Sequence, residues 1–258
     1  MPAVADLDLA ALNSATKYPS ILTYHELDQR NNGGLTEKVT EFSGDVVLTE
    51  KVDGTNARII TLPGGDYFLG SRETLFYARG DRVWNEKLGI VEALRPLAER
   101  ITSPELGIRV YYLEVYGGNK ISRASAQYTG AQTLGHRLFD VAAIDPAYLG
   151  LPLADIALWR DKGGQHFHTE QELTEIAVDE GIDMVPRLAT LKGSELPTGI
   201  EAMHAFLAHH LSTTLVALDA GAGGRPEGIV LRSMDRSVIA KARYQNYDRT
   251  LQLRAKRR

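Results

Sequence analysis

Apolar positions along the chain recur with two different periods, and the switches between them outline its elements. Near the start, ADLDLAALNSA carries leucines and alanines at helical spacing, and KYPSILTYHEL leads into the body. Three runs then read as strands: DVVLTEKV ending near Val52, ARIITL from Ala57, and DYFLGS from Asp66. Between them lie DGTN and PGGD, which carry turn chemistry. From Glu86 to Arg100 the period becomes that of a helix, with Ile90, Leu94 and Leu97 in line and Val91 beside them. Pro96 interrupts its last turn. IRVYYLEVYGG and HRLFDVAAID read as strands that are mostly buried.

Helical spacing dominates from Leu151 to Leu215. Thr169, with Gln171, Glu172 and Glu175, opens one helix that closes near Gly181. Ile200 to Leu211 forms another, with Met203, Phe206, Leu207 and Leu211 inward. GAGGRPEG reads as a flexible connector whose glycines at 221, 223 and 224 act as a hinge. GIVLRS and VIAKAR are strands again, and the tail from Gln245 is a helix. Strand clusters separated by helical insertions predict an α+β fold with antiparallel sheets. No proline-rich or serine-rich linker divides the chain, so one domain spanning 1–258 is expected.

Composition narrows the class. With 43% hydrophobic and 24% charged residues, the 258-residue chain matches soluble globular proteins and not disordered ones. Its lack of cysteine excludes disulfides, thiolate metal clusters and a cysteine nucleophile, and suits a reducing cytoplasm. No apolar run reaches the roughly 20 residues of a membrane span. The opening MPAVADLDLAAL carries acids where a secretory signal needs bases, so a cytoplasmic protein is expected. The formal net charge is −4, yet seven basic residues against one acid fall between Lys241 and Arg258. Such a tail points to an anionic partner, although a solvated basic end explains it equally well.

Candidate chemistry starts at Lys51-Val52-Asp53-Gly54-Thr55-Asn56, where a lysine closes a strand and a tight turn follows. A lysine set against a cavity wall, or beside other cations, gives up its proton more readily and becomes a nucleophile. Further strings follow in order: Arg72 in GSRE, Glu114 in YYLEVYGG, Phe139 before Asp140 in HRLFDV, Glu227 in PEGIVLRS, and Lys241 with Arg243 in VIAKAR. Each has an ordinary reading on its own: a solvated strand end, a core aromatic, a satisfied ion pair, a sheet edge. The paired histidines 166/168 and 209/210 lack a carboxylate or cysteine at metal-site spacing and read as surface or core residues.

Taken together and in order, these strings resemble motifs I, Ia, III, IIIa, IV and V of the covalent nucleotidyltransferases, which include polynucleotide ligases and mRNA capping enzymes. EKVDGTN, LEVYGG, EGIVLR and the upstream KYPSI resemble most the RNA ligase 2-like family of RNA-repair enzymes, over about Lys17 to Thr250. The resemblance implies a nucleotidyltransferase fold of the ATP-grasp-like ligase type, with antiparallel sheets flanked by helices. It also implies an ATP-dependent RNA ligase that joins a 5′-phosphate to a 3′-hydroxyl at RNA ends or in a nicked duplex. ATP is the AMP donor, with Mg²⁺, or Mn²⁺ in its place.

Residue by residue, the resemblance makes Lys51 the attacker of the ATP α-phosphate, forming lysyl-AMP, with Glu50 and Val52 at the adenine edge. Arg72 and Glu114 hold the ribose, Phe139 stacks on adenine, and Val230 closes its other face. Glu227 works with a hydrated divalent metal, Lys241 and Arg243 contact the α-phosphate, and Asn56 engages the nucleic-acid ends. Arg232 and Arg243 stand where the family commonly has lysine; arginine keeps the charge but cannot lose its proton. Only 17 residues follow Lys241, so the chain is expected to lack a C-terminal OB-fold or helical domain. Arg254, Lys256, Arg257 and Arg258, a dimer, or a repair partner protein would then grip the strand. The alternatives are a ligase for DNA or RNA–DNA junctions and a nucleic-acid-binding relative without catalysis.

Overall fold

A computed structural model describes residues 7–30, 33–79, 89–118, 121 and 124–256. In chain order its elements are α1 (Leu9–Ala15), β1 (Leu22–Thr23), β2 (His25–Asp28), β3 (Gly34–Val39), β4 (Asp45–Lys51), β5 (Thr55–Thr61), β6 (Tyr67–Ser71) and β7 (Leu75–Ala78). Then come α2 (Ile90–Ala98), β8 (Ile108–Gly117), α3 (Ser125–Tyr128), β9 (Leu134–Ile144), α4 (Leu153–Asp161), β10 (His166–Phe167) and α5 (Glu170–Asp179). The last are β11 (Arg187–Lys192), α6 (Ile200–His210), β12 (Gly228–Ser233), β13 (Ile239–Arg243) and α7 (Tyr244–Ala255). The architecture is α+β with mainly antiparallel sheets and flanking helices, as the patterning predicts.

The chain forms two compact units. The first comprises Met1–Ser20, Gly54–Ser125 and Ala131–Met184; the second comprises Ile21–Asp53, Ala126–Gly130 and Val185–Arg258.

In the first unit, six antiparallel strands run in the order β10-β9-β8-β5-β6-β7. One face is apolar: Ala57, Ile59, Leu69, Tyr111, Leu113, Val115, Leu138 and Val141 pack against α2 and α5. The other face mixes buried Ile60, Phe68 and Val110 with the polar groups Arg58, Tyr112 and Glu114, and α1 is bonded to it. Arg58 is fully buried and donates to the Asn13 carbonyl and side chain; Tyr112 Oη donates to the Thr16 carbonyl at 3.1 Å, and Tyr18 Oη to Asp140 Oδ2 at 2.9 Å. Asp8 caps α1 by accepting from the Ala10 and Ala11 amides. The described part of the 86–100 helix is α2; residues 86–88 lie outside the described residues. The Thr169–Glu172 capping box opens α5 where the sequence places it.

In the second unit, five strands run β1-β13-β12-β4-β11, with β2–β3 as a separate pair. Leu48, Ile229, Leu231, Ala240 and Ala242 turn to one face and pack on Met203, Leu207, Tyr244 and Tyr247 of α6 and α7. Each buried leucine or isoleucine among them contributes roughly 1.5–3 kcal/mol of transfer free energy, each alanine less. The pleat therefore sends the alternate residues of β4, β12 and β13, among them Lys51, Lys241 and Arg243, to the opposite face.

Candidate functional site

Strand register decides which side chains of the second unit meet. Gly228 of β12 pairs with Lys51 of β4 on one side and with Arg243 of β13 on the other. Two residues along, Val230 pairs with Thr49 and Lys241. Lys51, Val230, Lys241 and Arg243 thus share one face, and buried Arg232 belongs to the same alternation. Gly228 permits this close pairing, because a Cβ there would overlap the Ala242 carbonyl.

Glu227 begins this strand and joins the cations. Its Oε2 ion-pairs with Lys51 Nζ, and its Oε1 lies 3.5 Å from an Arg243 Nη. The side chains of Lys51, Glu227 and Arg243 are 22%, 19% and 31% exposed: shielded, yet open to a ligand. Asp53 completes the group. Burial, and then the charge on Glu227, lifts its carboxyl above the ordinary carboxylate range, while Lys51 and Arg243 pull the other way. Among the described residues no group of three or more His, Cys, Asp or Glu forms a closed metal cage. Asp53 and Glu227, two carboxylates beside Lys51 and Arg243, are instead hard oxygen donors of the kind a hydrated divalent ion takes, so the residues present fit one.

Glu50 departs from expectation. It lies on the face opposite Lys51, where it is 1% exposed; Thr214 Oγ1 and the Leu215 amide donate to its carboxylate at 2.5 and 2.8 Å. Its side chain anchors the loop before β12 and does not share the lysine's face, which corrects the adenine-edge assignment for that side chain. Val52 is buried at 3% exposure.

The first unit carries the remaining candidates in one row across its sheet. Asn56 pairs with Glu114, Glu114 with Arg137, and the Arg72 amide donates to the Asn56 carbonyl. Glu114 Oε1 accepts from the Gly54 amide at 3.1 Å, and Gly54 is held so close to β8 that a Cβ would overlap the Val115 carbonyl. The KYPSI segment holds Arg72: its Nε donates to the Tyr18 carbonyl at 3.2 Å and an Nη to Ser20 Oγ at 2.8 Å. Phe139 sits at a bulge, since Leu113 pairs with Leu138 but Tyr112 with Asp140. The extra residue puts Phe139 outside the apolar core, against the rings of Tyr18 and Tyr112 at 5.0 and 6.4 Å.

The family model for RNA ligases matches residues 44–244. This chain belongs to the RNA ligase family. Comparison with curated proteins finds no significant match. Among solved structures, an RNA ligase of Naegleria gruberi with ATP and manganese is similar at 13% identity and a TM-score of 0.51, covering 92% of this chain and 62% of that one. The same ligase with AMP and manganese gives 14% identity and a TM-score of 0.52, over 88% and 60%; without ligand it gives 12% and 0.52, over 92% and 60%. At such identities the likeness is one of fold, and the chain spans about three-fifths of the length of those ligases.

For this RNA ligase family member, sequence reasoning missed several groups beside the motifs. Arg137, ion-paired with Asp183 at 2.6 Å, extends the Asn56–Glu114 row, and Asp53 lies inside the motif itself. Tyr18 lay in the quoted KYPSI string without a role. The tail also differs: Arg254 meets Glu37 at 2.5 Å and Glu201 at 3.3 Å, so its charge is already answered. Arg257 and Arg258 lie outside the described residues. Among the described residues no helix is long and apolar enough to cross a membrane.

Proposed function

We propose that this chain is an ATP-dependent RNA ligase that seals a 5′-phosphate to a 3′-hydroxyl through lysyl-AMP and an adenylylated 5′-end. The observation that carries this reading is the grouping of Lys51, Glu227 and Arg243 around Gly228, with Lys241 one row away on the same face. Phosphoryl-type transfer depends on positioning and on charge placed around the transferred group. ATP supplies the AMP; Glu227 and Asp53 would hold a divalent ion, which would supply positive charge beside the phosphates.

The chain's own residues do the rest. Lys51 attacks the α-phosphorus; its nitrogen–phosphorus bond forms as the bond to pyrophosphate breaks. Glu227, already paired with that amine, is placed to take its proton. Lys241 and Arg243 hold the α-phosphate oxygens, and Val230 lies under the base. On the first unit, Arg72 and Glu114 supply donors and acceptors for the ribose hydroxyls, Phe139 a stacking surface for adenine, and Asn56 a contact for nucleic-acid ends. The single-domain reading of 1–258 stands with this proposal, supported by a family match that runs through both units.

Incubation with α-labelled ATP and Mg²⁺, followed by a denaturing gel, tests it. The wild type is expected to retain label and Lys51→Ala to lose it; equal label on both removes Lys51 from its role. Sealing of nicked RNA, nicked DNA and mixed strands then identifies the acceptor.

A further inference from the structure

The connector between α6 and β12, which sequence composition marks as a hinge, is tied down along its length. Thr214 and Leu215 at its start bind the Glu50 carboxylate. The Thr214 amide donates to the Gly224 carbonyl at 3.1 Å, closing the connector on itself. Its middle grips residues 126–130. The Leu218 amide donates to the Tyr128 carbonyl at 2.7 Å, and the Gly223 and Gly224 amides to the Gln127 carbonyl at 3.1 and 3.2 Å. Asp219 Oδ2 accepts from Thr129 Oγ1 at 2.7 Å and from the Gly130 amide at 2.9 Å. A Cβ at Gly224 would come within 2.6 Å of Gln127 Cγ, so these two backbones meet only because that residue is glycine.

Tyr128 passes this grip to the nucleophile. β4 ends at Lys51, and the Asp53 amide, two residues on, donates to Tyr128 Oη at 2.7 Å. The tyrosine is fully buried, and burial keeps its phenol protonated well beyond neutrality. The connector then runs directly into Glu227, the ion-pair partner of Lys51. Residues 50, 51 and 53 are therefore each tied to the connector: Glu50 by its start, Asp53 through Tyr128 by its middle, Lys51 by the residue it leads into.

We infer that Tyr128 is a positioning residue for the Lys51 nucleophile, its hydroxyl fixing the turn that follows the reacting lysine. Lysine has four rotatable side-chain bonds, so the place of its amine is set by the backbone beneath it and by the group that holds its tip. Effective attack needs the reacting atoms within roughly 3–3.5 Å and aligned, and a misplacement of about 1 Å costs on the order of a hundredfold. The inference rests on the reading of Lys51 as the adenylylated residue.

Single-turnover labelling of the full chain with α-labelled ATP and Mg²⁺ tests it. Tyr128→Phe is expected to slow label formation by about tenfold or more, with the half-saturating ATP concentration changed less than about twofold. Tyr247→Phe removes a comparable buried hydroxyl of the same unit, one bonded to His25 Nδ1 at 2.8 Å, and should label at the wild-type rate. Thr214→Val removes one of the two bonds that hold Glu50, leaving the Leu215 amide, at nearly equal volume; it should slow labelling in the same way, and carries the test if Tyr128→Phe fails to fold. A wild-type rate in Tyr128→Phe overturns the inference, as does equal slowing in Tyr247→Phe or a change confined to half-saturation. In the fold-failure case, a wild-type rate in Thr214→Val overturns it. No label on the wild type overturns the reading of Lys51 instead, and the inference with it.

Discussion

Each of the two large sheets packs one face as an apolar core and carries charged residues on the other, and the two treat those charges differently. Under α1, Arg58, Tyr112 and Asp140 are fully buried, each hydrogen-bonded to the 13–18 segment. On β4, β12 and β13, Lys51, Glu227 and Arg243 stay a fifth to a third exposed and answer mainly one another. Similar residue types thus do different work. Charges closed over by a helix fasten that helix to its sheet, whereas Lys51, Glu227 and Arg243 stay partly open to water and pair with one another. The contrast lies in burial and partner, not in composition.

The largest expected effect breaks the first of these faces. Arg58→Ala leaves a cavity and removes the donor to Asn13, which should lower the unfolding free energy by about 3 kcal/mol in denaturant titration. A loss under about 1 kcal/mol would show that Arg58 does not fasten α1. Next, Glu227→Ala should cut the rate of protein adenylylation by more than about tenfold while costing about 1 kcal/mol of stability or less, since its partners remain partly open to water. A variant that labels normally removes Glu227 from the chemistry.

The smallest effect is a pH dependence. Tyr112 is fully buried, and burial raises its phenol far above the ordinary value of 10.0. The folded state holds this proton more tightly than the unfolded one, so the stability it contributes is complete below pH 10 and drains as pH rises beyond it. Tyr112→Phe should be less stable than wild type by about 1 kcal/mol near neutrality, having lost the bond to Thr16. That gap should close above pH 10 in unfolding curves measured across the range. A gap that stays constant would mean the phenol ionises as freely in the folded protein as in the unfolded chain.

Motif order singled out Lys51, Glu227, Lys241 and Arg243 from neighbours within a few positions, and the structure brings these four together. Pleat alternation was legible too: in DVVLTEK, Glu50 and Lys51 must face opposite ways, and that signal alone moves the Glu50 side chain off the lysine's face. Phe139 needed a bulge, which depends on the register of a partner strand and leaves no local mark. Tyr128 lies 75 positions from Asp53, and Arg137 meets Glu114 only across a strand pair. Helix caps were readable at Thr169, where side chain and backbone meet within one turn. The four-residue strands β2 and β7 were not, because too few alternating positions exist to set a period. The glycine-rich connector looked loose because composition reports the backbone's freedom and not the carbonyls and carboxylates that remove it.

The central claim is that the amine of Lys51 becomes covalently bound to AMP. Intact mass spectrometry of the full chain after incubation with ATP and Mg²⁺, with peptide mapping of the product, tests this most directly. The account predicts a gain of one AMP located on the peptide containing Lys51, discharged when a 5′-phosphorylated RNA is added. An unchanged mass, or an AMP carried on any other residue, contradicts it.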